Sequence, residues 1–110
     1  VVVYGNNIHV WMADAQTPAE RSAWQQKLEA IQALKPVRVV PGHFLPGAAE
    51  TLASVHFTQQ YLKTAETVLA ESQDAASYTA AMKTRYPALK EASSLELSAK
   101  VLKGEMKWPQ

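Results

Sequence analysis

The 110-residue chain has no cysteine, which excludes disulfides, thiolate metal sites and cysteine nucleophiles together. That absence leaves the compartment open between cytosol and periplasm. An excess of one charge is also missing. Eleven Lys and Arg stand against ten Asp and Glu, interspersed, so no footprint for nucleic acid or anionic lipid stands out. No apolar run approaches the roughly 20 residues that span a bilayer. Neither a signal-peptide pattern nor an initiator Met opens the sequence, which begins on "VVVY" and so reads as a processed or truncated product. A Gly-rich phosphate loop is absent, and Ser54 and Ser77 have no nucleophile-elbow context. Histidine is scarce: there are three, His9, His43 and His56.

What is present argues for one folded domain. The apolar fraction is 47% and the charged fraction 19%, a balance that fits folded chain rather than disorder. "VVVY" (1–4) reads as a short β-branched strand, and "GNN" (5–7) supplies turn chemistry. "IHVWMA" (8–13) alternates Ile8, Val10 and Met12 against His9, Trp11 and Ala13, the pattern of a second strand or of a loop over a sheet. His9 and Trp11 then share a side, as the lip of a pocket or as edge packing.

"TPAE" (17–20) is the clearest local signal: an N-cap Thr, Pro at the first helical position and Glu at the third. The helix it starts runs to about Lys35, with Trp24, Leu28, Ile31 and Leu34 as its apolar face. "KP" ends it and "VRVV" (37–40) reads as a buried strand. Further helices are expected over about 48–72, 75–86 and 94–103, the last stopping at Gly104, with Trp108 anchoring the tail. In the third of these, Tyr78, Met82 and Tyr86 read as core. His56, near Leu52 and Val55, reads as a partly buried packing histidine.

A helix between short strands is an α/β unit. In such folds ligand groups collect in loops at the carboxyl ends of strands. "PGH" (41–43) lies at such a point, where Pro41 and Gly42 turn the chain and His43 projects from a fixed base. An imidazole there serves as a metal ligand or general base, or simply as a turn histidine bonded to backbone.

The run "LEAIQALKPVRVVPGH" resembles the C-terminal half of a metallo-β-lactamase fold hydrolase, and the resemblance extends through "GNNIHVWMAD" and "LELSAKVLKGEMKW". It implies half of an αββα sandwich over 1–72, with a helical C-terminal extension over 73–110. It also implies a metal-dependent hydrolase using zinc, with two divalent metals in the full-length enzyme, and His43 as a metal ligand. His9, Trp11 and Asp14 would line a small-molecule substrate. The H-x-H-x-D-H ligand motif of that superfamily does not occur, and Gly5-Asn6 stands where a Gly-Asp would carry a bridging carboxylate. The chain is therefore expected to be inactive alone and to bind no metal stably. The alternative is a non-catalytic scaffold or oligomerisation module, pairing as a homodimer or with a missing N-terminal half.

Overall fold

The capping box forms as its spelling predicts. In the computed structural model, which describes residues 1–109, Thr17 accepts from the Glu20 main chain and the Glu20 side chain returns the bond to Thr17. Helix α1 follows, Pro18–Ala33, and the chain leaves it through Lys35 in a left-handed conformation (φ 50°) before Pro36. Helix α2 spans Leu52–Glu71 behind the Thr51 cap, and α3 spans Ala75–Arg85 behind Asp74, whose carboxylate accepts from the Ser77 N–H. Helix α4, Ala92–Leu102, begins at Glu91, itself left-handed (φ 65°), and ends before Gly104 at φ 75°. All four expected helices are present within a few residues of their predicted ends.

The expected α/β sandwich is not. The chain is 53% helix, and among the described residues β-type pairing is limited to two isolated parallel bridges, Tyr4 to His43 and Ile8 to Lys90. Successive helices pack on one another, α1 on α2, α2 on α3 and α3 on α4. Against them runs an extended N-terminal segment that is buried without being a strand: Val3, Tyr4, Ile8, His9, Val10, Met12, Ala13 and Ala15 are all inside.

Its main chain needs partners, because a buried amide left unpaired costs about 1–3 kcal/mol. Helical hydroxyls supply them where a sheet would use a neighbouring strand. Tyr4 N–H donates to Thr58 Oγ1 at 3.0 Å and Met12 N–H to Ser98 Oγ at 2.9 Å. Main-chain bonds from His9 to Lys90, Lys90 to Asn7, Gly42 to Val3 and Gly5 to His43 complete the seating. Gly5 is required here for close approach: a Cβ would meet Phe44 Cβ at 2.6 Å and Ala48 Cβ at 2.9 Å.

"VRVV" is not a buried strand either. Val37 is 95% exposed and Val40 58%, while Val39 N–H donates to Glu50 O and Arg38 pairs with the Glu50 carboxylate. A β-branched run forms a core strand only where two neighbours flank it, and here a single clip at Glu50 holds it at the surface. Leu34 is 81% exposed, so the apolar row of α1 ends at Ile31. His56 is exposed rather than partly buried, and Tyr61 and Thr58 fill the inward face of α2.

The core draws on all four helices: Leu28 from α1, Val55, Tyr61, Leu62, Ala65 and Val68 from α2, Tyr78 and Met82 from α3, and Leu95 and Ala99 from α4. Arg21, only 4% exposed, ties α1 to α2 through an ion pair with Glu66 and donates to Ala15 O at 2.8 Å.

Candidate functional site

The N-terminal segment does more than fill the core, because its residues 4–15 form one wall of a cleft of about 920 Å³. Helix α1 contributes Glu20, Trp24 and Lys27, the 43–45 loop contributes His43, Phe44 and Leu45, and the start of α4 contributes Glu91 and Ser94. The volume lies within the range of small-molecule sites, roughly 300–1,000 Å³.

All four site residues named from the sequence reach this cleft. His9, Trp11, Asp14 and His43 line it together, although they come from two stretches about 30 residues apart in sequence. Their settings differ. His9 is 2% exposed, and its Nδ1 lies 3.0 Å from the Tyr61 hydroxyl. Burial, and secondarily the positive charge of Lys83, holds this imidazole below its ordinary value, so it is neutral near pH 7. His43 is exposed and stacks on the Tyr4 ring, with centroids 5.8 Å apart and planes 24° apart. Trp11 is half-buried and donates from Nε1 to Asp14 Oδ2 at 3.0 Å.

The other oxygen of Asp14 is also engaged. Trp108 Nε1 donates to Oδ1 at 3.0 Å, and the two indoles meet edge to face, 5.1 Å between centroids. Gln16 Nε2 reaches Trp108 O at 2.7 Å, so the expected anchoring role of Trp108 is seen directly. Asn6 and Asn7, read as turn residues, pin the opposite rim: Asn6 Oδ1 accepts from Ala49 N–H, and Asn7 Nδ2 donates to Leu45 O.

Three lining residues escaped the sequence reading as site residues. Tyr4 looked like strand packing, yet burial and the negative charge of Asp14 push its phenol up to about 12, and its hydroxyl donates to Trp11 O at 3.4 Å. Trp24 looked like helix core, yet it lines the cleft while donating to Val2 O at 2.8 Å. Glu91 carried no sequence signal, and its left-handed backbone at the rim is a strained conformation of the kind that gathers at functional sites.

The donor set does not fit the expected zinc site. Among the described residues no three of His, Cys, Asp and Glu lie together in an arrangement able to hold a metal ion, whereas a zinc centre takes three or four such ligands. The missing sheet overturns the metallo-β-lactamase-fold expectation, and the metal-binding expectation is corrected with it; His43 stands against the Tyr4 ring in the cleft wall. The cleft as built offers aromatic faces, one neutral buried imidazole and an excess of carboxylates, Asp14, Glu20 and Glu91 against Lys27. Such a lining has the chemistry to stack against planar groups and to disfavour anions. No family model, no curated protein and no solved structure matches the chain.

Proposed function

We propose that this chain is a small-molecule-binding module and that the cleft between the N-terminal segment, α1 and the 43–45 loop is its site. The observation that carries the reading is the convergence of His9, Trp11, Asp14 and His43, with Tyr4 and Trp24, on one concavity of ligand size. Aromatic faces with a few placed polar groups are the usual furniture of such pockets. The carboxylate excess favours neutral or cationic ligands. The test is a titration with small aromatic amines, followed through the indole N–H resonances of Trp11 and Trp24. Both signals are expected to move, and Trp11→Ala to weaken binding about tenfold, the equivalent of one aromatic contact. Shifts confined to residues away from the cleft would sink the reading.

A second reading has its own observation. Leu34, Val37 and Val40 are exposed apolar side chains close together in sequence, and the 37–40 segment is held by one main-chain bond. A second copy of the chain, pairing through 37–40, would cover these side chains and the unpaired main chain between them. Light scattering across a concentration series tests it: a dimer converted to monomer by Val37→Lys is expected, and a monomer at all concentrations rules it out.

A further inference from the structure

The cleft reading leaves one group without a use. His9 is buried, yet it lines the cleft, and its Nδ1 and Nε2 are differently placed. Nδ1 faces the Tyr61 hydroxyl at 3.0 Å. Among the described residues Nε2 has no hydrogen-bond partner, and none of their side-chain polar atoms is both sealed from solvent and unpaired. Nε2 therefore opens onto the space that His9 lines.

The tautomer follows from Tyr61. This phenol is fully buried, stacked on Tyr86 at 5.1 Å and beside Phe57 at 5.8 Å, with only His9 Nδ1 as a side-chain partner for its hydroxyl. Burial pushes its acidity far down, so the hydroxyl keeps its proton. A buried O–H donates where an acceptor is in reach, and the side-chain acceptor in reach is Nδ1. Nδ1 is then unprotonated, and the ring proton of the neutral imidazole sits on Nε2.

We infer that His9 is the polar selector of the cleft: its Nε2–H donates to an uncharged acceptor, an amide carbonyl or ring nitrogen, on a planar neutral or cationic ligand. The inference rests on the cleft reading and adds the ligand class to it. Trp11 and Trp24 supply faces for the planar body. Asp14, Glu20 and Glu91 turn away a carboxylate or phosphate on the same ring.

The test uses the whole chain and two probes, nicotinamide and nicotinate, which share a planar ring and differ in amide against carboxylate. Long-range nitrogen–proton NMR of the histidine side chains reads the tautomer directly in the unmodified protein. The expected result is Nε2-protonated His9, a shift of that proton on adding nicotinamide, and nicotinate weaker by about tenfold or more. His9→Phe should weaken nicotinamide about tenfold, the worth of one hydrogen bond. An Nδ1-protonated His9, or nicotinamide binding that His9→Phe leaves unchanged, overturns the role given to His9 while the cleft stands. Neither probe disturbing Trp11 or Trp24 overturns the cleft reading beneath it. Should His9→Phe fail to fold, the tautomer of the unmodified protein still decides the matter.

Discussion

The indole of Trp108 donates to Asp14 Oδ1 at 3.0 Å, joining two residues 94 positions apart. Trp11 holds the other oxygen of the same carboxylate, so one acidic side chain fastens the tail to a wall of the cleft. Asp14→Ala is therefore expected to free the tail. Tryptophan emission should shift to the red, carboxypeptidase should trim the last residues faster, and stability should fall by about 1–2 kcal/mol for two hydrogen bonds to a charged but exposed group. Unchanged emission and trimming would show that the carboxylate holds nothing.

Stability should depend on pH through His9. Its folded value lies below the ordinary imidazole value of about 6.5, so the unfolded chain takes up the proton first as pH falls. The contribution is present in full above the unfolded value, and it declines as pH drops from about 6.5 toward the lower folded value. The slope is up to about 1.4 kcal/mol per pH unit for one proton. The groups around the ring are the Tyr61 hydroxyl, which burial keeps protonated, and the Lys83 ammonium. Urea midpoints between pH 5 and 8 check this, and His9→Phe should remove that part of the slope.

The hydroxyls that seat the N-terminal segment are expected to matter more than their exposure suggests. Thr58→Val keeps the shape but strands the Tyr4 N–H, and Ser98→Ala strands the Met12 N–H. Each should cost about 1–3 kcal/mol, the penalty of an orphaned buried donor. Denaturant melts would reveal the loss, and values within about 0.5 kcal/mol of the parent, the range of ordinary surface substitutions, would mean the segment finds other partners.

Glu66→Gln tests the tie between α1 and α2. It keeps an amide oxygen beside Arg21 but removes the negative charge that compensates the buried guanidinium, whose other acceptor is Ala15 O. A fully buried pair broken this way costs about 3–5 kcal/mol. Glu66 is 43% exposed, so solvent screens the pair and a loss of about 1–2 kcal/mol is expected. Arg21→Met, which removes the buried charge as well, should cost less than Glu66→Gln, and thermal melts of the two variants read the difference.

The helices were legible because their signals are local. Thr17 and Glu20 lie three residues apart, and Tyr78 and Met82 repeat at helical spacing. That His9 and Trp11 lie at the cleft was legible for a related reason: the alternating run 8–13 that carries them stands out against a polar turn and a capped helix. The sheet was misread because β-branched residues announce an extended backbone and not its neighbours. Val3 and Val37 carry the same side chain, yet one is 7% exposed and the other 95%. What separates them is whether a hydroxyl such as that of Thr58, 54 residues downstream of Tyr4, arrives to satisfy the adjoining main chain. Side-chain acceptors on distant helices leave no periodic trace. The Tyr61–His9 contact is hidden in the same way, although a histidine amid apolar alternation signals that some partner must exist.

The seating of residues 3–15 also sets an order of events during synthesis. These residues leave the ribosome first, yet Met12 waits for Ser98 and Asp14 for Trp108. At roughly 5–20 residues per second, the partners arrive about 5–20 seconds later. Until then "VVVYGNNIHVWMA" is an apolar, β-prone stretch with no cover of its own. Helices α1 and α2 can pair in the meantime, but the segment closes only once Ser98 and Trp108 have been made. A segment that ends up largely buried is thus left long exposed to aggregation and to chaperones.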